Sequence, residues 1–241
     1  MRKLVPVGIV GVVVAVGAAV AFAAATTFPT VSVKPTVSST KAGTKAHPKG
    51  VTLKTVFNWQ KLGNVNQPIV TSFLVKFPKG SLWQGAKYPS CSLSVISRPA
   101  GPKGCPAASI IGSGTGTAYA GSNTTVTHPK ITVVNGGAKT IFFYTVLNNP
   151  GRVRTPVVGH ISGASGPYAY TLTTKVPHIL WAPAGTPVEL TNLSVTVGHA
   201  AILATTGCSG GKWPYAVTTQ YRNLNLGGTG SASTSSSIHC S

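Results

Sequence analysis

From Val51 onward, apolar residues recur at every second position. Val51, Leu53, Thr55, Phe57 and Trp59 fall on one face of an extended segment, with Thr52, Lys54 and Asn58 on the other. That is the period of a half-buried β-strand. Ile69, Thr71, Phe73, Val75 and Phe77 repeat the pattern before Pro78 ends it, and Tyr168, Tyr170, Leu172, Thr174 and Val176 repeat it again. Ala138–Leu147 is apolar on both faces, which predicts a central strand covered on both sides. Between Val188 and Val197 the phase slips from even positions (Val188, Leu190) to odd ones (Leu193, Val195, Val197), so a bulge is expected near Asn192. Ala200–Thr205 and Tyr215–Tyr221 add further strands.

Helical periodicity is absent after the first 25 residues, and 28 Gly and 18 Pro punctuate the chain at turn-like intervals. The pattern predicts an all-β fold, a β-sandwich of about ten antiparallel strands, over residues 51–241. Gly112, Gly114 and Gly116 superficially resemble a dinucleotide fingerprint, but they alternate within a strand and no helix follows. Such spacing marks a close approach by a covering group. One internal echo is present: Lys76-Phe77-Pro78 leads to Leu82-Trp83, and Lys175-Val176-Pro177 leads to Leu180-Trp181.

The start of the chain has a different character. Met1–Lys3 is basic, Leu4–Ala25 runs without a charge, and the run ends Ala23-Ala24-Ala25. Residues 1–25 therefore read as a cleaved secretory signal peptide, with an uncleaved anchor as the other reading. Residues 26–50 hold Lys34, Lys41, Lys45 and Lys49 with Pro29, Pro35 and Pro48. They read as a basic linker contributing one short strand at Val31–Val37. In an exported chain the four Cys are expected to be oxidised. Of the three possible pairings, loop closure favours nearest neighbours, Cys91–Cys105 and Cys208–Cys240. The absence of a CxxC pair argues against zinc.

Charge narrows the function. The chain has 20 Lys and Arg against a single acid, Glu189, a formal +19. Loss of Arg2 and Lys3 with the leader takes that to +17. One carboxylate side chain cannot build a glycosidase pair, an aspartic dyad or a carboxylate-lined Ca²⁺ or Mg²⁺ site. Glu189 itself reads as a surface residue paired with a lysine. The six His form no H-x-H or H-E-x-x-H motif, although His160 and His199 sit on strands that a sheet could bring together. No catalytic residues, metal or cofactor are expected.

The spaced segments Phe77–Gly80 (FPKG), Tyr88–Cys91 (YPSC), Gly101–Gly116 (GPKGCPAASIIGSGTG) and Cys208–Trp213 resemble secreted actinobacterial proteins known only as hypothetical. The resemblance spans Ala42 to the C-terminus. It implies secretion and a β-rich fold, and supplies no activity.

The expected protein is thus secreted or bound at the cell surface and non-catalytic. It is a binding or structural protein held electrostatically at an anionic cell-envelope surface, a polymer or a membrane, through Lys34, Lys41, Lys45 and Lys49. The same charge would also serve as a solubility device. The alternative is a carbohydrate-binding module that stacks sugars on Trp83 and Trp181. Trp59 is expected to end a core face, and Trp213 to pack on the Cys208 bridge. Export makes nucleic acid a poor physiological partner, and no reader motif is present.

Overall fold

The computed structural model describes residues 28–62, 68–121, 125–224 and 227–241; the leader expected over residues 1–25 lies outside them. The described residues form fifteen strands: β1 (Val31–Val37), β2 (Lys49–Gly50), β3 (Leu53–Trp59), β4 (Pro68–Pro78), β5 (Ser81–Trp83), β6 (Ile110–Ala120), β7 (Thr125–Thr127), β8 (Lys130–Asn135), β9 (Thr140–Leu147), β10 (Val153–Gly163), β11 (Tyr168–Lys175), β12 (Val188–Val197), β13 (Leu203–Thr205), β14 (Lys212–Asn223) and β15 (Thr229–His239). Two single-turn helices, α1 (Leu93–Ile96) and α2 (His178–Trp181), interrupt them.

The architecture is all-β and antiparallel, with disulfides Cys91–Cys105 and Cys208–Cys240. Its two packed layers belong to one sheet, ordered β1-β3-β12-β6-β8-β9-β10-β11-β4-β14-β15, with β7 attached to β6. The sheet bends until its edges lie side by side. Phe57 and Trp59 of β3 pack against Val75, Tyr215 and Tyr221 from β4 and β14, the opposite limb. Phe28, ahead of β1, stacks on Tyr221 of β14, with ring centroids 6.0 Å apart, and covers Gly230 of β15. At the other end of this seam, Ser241 N–H donates to Thr40 O (2.9 Å) and Ala42 N–H donates to Ser241 O (2.7 Å). Contact of this kind partly covers the two sheet edges.

Sharp bending needs positions without side chains. A Cβ on Gly112 or Gly114 of β6 would lie 2.0 or 2.7 Å from the Thr196 or Ser194 carbonyl oxygen of β12. The alternating glycines therefore admit the neighbouring backbone, and glycine at such positions marks a tight bend. The expected phase slip in β12 is present, with the register shifting between Leu190 and Asn192. A further bulge lies on β4: Gln220 and Tyr221 of β14 oppose Ser72 and Val70, which leaves Thr71 as the extra residue. Inward residues of β4 are consequently Val70, Phe73, Val75 and Phe77, rather than the unbroken odd series that includes Ile69 and Thr71.

The stretch read as a linker is part of the domain from Phe28 onward. Its expected strand, Val31–Val37, pairs along its whole length with β3. Lys49 and Gly50 pair with β13, and Ser38 Oγ accepts from Thr52 N–H at 2.9 Å. A composition rich in Lys and Pro suggested a solvated segment, but Val31, Pro35 and Val51 are buried, and the backbone bonds are satisfied by neighbours. The expectation for β9 holds. Ile141, Phe143, Thr145 and Leu147 face inward. Phe142 and Tyr144 face outward beneath Ile96 of α1 and the Cys91–Cys105 loop.

Candidate site: an apolar cavity inside the sheet

The inward faces do not meet completely. They leave a partly open cavity of about 250 Å³ between them. Side chains from nearly every long strand line it, including Phe57, Phe73, Phe143, Leu172, Leu193 and Tyr215. Phe73, Phe143, Leu172 and Leu193 keep accessible surface although they point inward. The physical origin is strand number: about eight strands close on an interior that side chains can fill, and more strands widen it.

Two short elements close the ends. β4 runs out of the sheet at Pro78 into β5, which pairs with β13 and places Leu82 and Trp83 on the cavity. β11 is antiparallel to β4 and leaves at the opposite end into α2, which places Leu180 and Trp181 there. The repeated Lys-apolar-Pro then Leu-Trp motif thus builds both caps. Each indole is oriented by a backbone acceptor: Trp83 Nε1–H donates to Gly137 O (3.1 Å), and Trp181 Nε1–H donates to Val176 O (3.0 Å).

The lining carries no residue charged at neutral pH among the described residues. Several of its hydroxyls are engaged within the wall. Tyr170 Oη donates to Ser81 O and accepts from Trp83 N–H. Tyr215 Oη and Thr55 Oγ1 share a hydrogen bond at 3.3 Å, and Thr145 Oγ1 donates to Phe143 O at 3.2 Å. Burial raises the pKa of both Tyr170 and Tyr215 above the ordinary phenol value, so both stay neutral in the physiological range. Such a cavity selects for neutral apolar matter; a dry engineered cavity of about 150 Å³ already takes up benzene.

The other singled-out residues are placed as follows. Trp83 and Trp181 lie at opposite ends of the cavity and form no shared platform. Trp59 and Trp213 are buried, and Trp213 Nε1–H donates to Gly207 O beside Cys208 (2.9 Å). Lys34 is exposed on β1. Lys41 and Lys45 are exposed near the β13 end, and Lys49 is half-buried on β2. His160 is on β10 as expected, but His199 lies in the turn after β12 rather than on a strand, and β6, β8 and β9 separate β10 from β12, so the two are not brought together.

Glu189 overturns its expectation. It is 1% exposed. Val188 and Leu190 line the cavity, so Glu189 points to the other side of β12, where its Oε1 accepts from Leu62 N–H at 3.1 Å. Its cross-strand neighbour is Tyr119, whose ring lies 3.5 Å beneath Lys61 Nζ. The alternation identified its face correctly. Lys61 and Leu62, which follow β3 and approach that face, left no periodic signal. Burial of the only acidic side chain leaves every charged side chain on the outer surface positive.

Compared with protein-family models and with curated proteins, the chain matches none. Among the described residues, no helix is long and apolar enough to cross a membrane. Several strands turn Ser, Thr and Lys outward, whereas the outward Phe142 and Tyr144 of β9 are covered by α1.

Proposed function

We propose that this is a non-catalytic exported protein that binds a neutral apolar molecule in its cavity and is held by charge at an anionic envelope surface. The cavity is the observation that carries the reading. A ligand losing about 200–300 Å² of apolar surface there would gain roughly 5–8 kcal/mol before association costs. Acyl chains and small terpenoid or aromatic molecules meet that description. Surface charge supports the second half: a formal +17 for the chain without residues 1–25, with the only acidic side chain buried, favours anionic polymers and lipid headgroups.

The test uses N-phenyl-1-naphthylamine, a neutral fluorophore that brightens in apolar surroundings. The full mature chain should take it up with a saturable, salt-insensitive isotherm. Leu172→Trp and Leu193→Trp, which project bulk into the middle of the cavity, should abolish uptake while the fold persists. Uptake unchanged in both variants would defeat the cavity reading. Retention on a neutral polysaccharide, insensitive to salt and lost in Trp83→Ala or Trp181→Ala, would favour the carbohydrate-binding alternative.

A further inference from the structure

We propose that the α2 end of the molecule is a docking surface for an anionic lipid bilayer, with Ile179 as the inserted residue. The inference deepens the reading above, because α2 also closes one end of the cavity that would hold the ligand. Three observations converge on this end.

The first is exposed apolar surface. Ile179 is 52% exposed, the most exposed large hydrophobic side chain among the described residues. Its helix neighbours Leu180 and Trp181 turn to the cavity, so α2 has one face in and one face out. Val126, 44% exposed, sits on β7. That strand pairs with Ala118–Ala120 of β6, opposite the start of β12. Gly121 N–H donates to Pro187 O at 3.1 Å, which ties this hairpin to the segment following α2.

The second is charge. Lys175 is exposed three residues before α2. Arg152 is exposed in the β9–β10 hairpin, where Gly151 lies against Pro183 and Ala184 just after α2. Lys130 at the start of β8 and Arg222 at the end of β14 are exposed at the same end of their strands. No acidic side chain offsets them at the surface. An apolar tip inside a basic rim is the complement of a bilayer whose headgroups are anionic. A soluble polyanion would use the rim and leave Ile179 idle.

The third is the placement of the cap. The opposite end also carries lysines, but there the three strands β2, β13 and β5 close the cavity as a hydrogen-bonded sheet. Among the described residues, the α2 end is closed by a single helical turn, and apolar cargo would meet the bilayer there.

The experiment is flotation of the full mature chain with vesicles of phosphatidylcholine alone or with 30 mole per cent phosphatidylglycerol. No cavity ligand is added. Binding is expected only with phosphatidylglycerol and should fall as salt rises. Ile179→Glu should reduce vesicle affinity at least tenfold. Arg152→Glu with Lys175→Glu should reduce it by roughly fivefold or more per site. Ile179→Ser separates insertion from added charge and should give an intermediate loss. Leu93→Glu, an exposed leucine on α1, and Lys79→Glu with Lys139→Glu, at the opposite end, serve as controls and should change affinity less than threefold for Leu93 and no more than charge count requires for the lysine pair. Melting temperatures of all variants should match the parent, since every substituted side chain is exposed.

Equal loss from the α2-end and opposite-end variants would overturn the docking surface. So would full binding by Ile179→Glu, or Ile179 mattering equally for binding to soluble polyglutamate. Naphthylamine uptake is scored separately without vesicles. Vesicle failure with uptake intact defeats the docking inference alone, and lost uptake with vesicle binding intact defeats the cavity reading alone.

Discussion

Glu189 is where the chain concentrates its negative charge and where a single substitution should report most clearly. Its carboxylate sits behind β12, away from the cavity, with Leu62 N–H as one donor and Lys61 nearby over the Tyr119 ring. A buried charged group is destabilising unless its surroundings satisfy it, and removing it leaves those surroundings unsatisfied. Glu189→Ala is expected to cost about 2–4 kcal/mol, within the range for lost charge-assisted hydrogen bonds. Glu189→Gln, which keeps the shape and one acceptor, should cost less. Both should leave naphthylamine uptake intact, because the cavity lies on the other face. Urea midpoints measured on the oxidised protein check this; a shift worth less than about 0.5 kcal/mol for the alanine variant, the size of an ordinary surface change, would show that the site is solvated. Residue-level reading reached the correct face for Glu189 but not its burial. Alternation says which way a side chain points from its strand. It is silent about residues that approach that side from elsewhere.

Among the elements, β1 and β9 show what pattern alone conveys. β9 was legible on both faces because both are apolar, and the cover over its outer face comes from a segment closed by Cys91–Cys105. The bulge in β12 was legible because the phase change is written into five apolar residues. β15 was not: TGSASTSSSIH has almost no apolar residues. It pairs with β14 over eleven positions and supplies little core, so its stability comes from backbone bonds and from the Cys208–Cys240 link at its end. The pairing of β1 and β2 with the domain is hidden in the sequence for a related reason. Their prolines and lysines suit an exposed strand at the edge, where the ladder tolerates proline and charge discourages further pairing. A truncation starting at Val51 should therefore do more than weaken electrostatic binding. It removes β1 and β2, uncovers β3, and takes away the backbone partners of Ser241. We expect that truncated chain to melt at least 10 °C below a chain of residues 26–241 or to aggregate, as judged by thermal scanning at equal salt. An unchanged melting temperature would show that this segment is only laid against the domain.

At the scale of the whole molecule, the hollow interior follows from the number of strands in one bent sheet. No local sequence signal carries it. Each strand declares an inward face, yet the distance between opposite faces depends on strand count, bulges and glycine bends acting together. Two conclusions follow for stability. Inward residues such as Leu172 and Leu193 bury less surface than a packed core would allow, and lost contacts across a void are lost dispersion energy. Additional bulk at these positions has somewhere to go. In a close-packed core, small-to-large substitution typically costs about 1–3 kcal/mol. Here Leu193→Trp should instead be neutral or raise the melting temperature by a few degrees, at the usual several degrees per kcal/mol for domains of this size. The same variant should lose naphthylamine uptake. Thermal scanning and the binding isotherm on one preparation decide between two physical pictures. Stability gained as binding is lost means that the cavity is real and kept open at a cost in stability, which is the relation expected of a ligand site. A fall of more than about 2 kcal/mol would mean that the inward faces already meet in solution, and the argument for an apolar ligand would fall with it.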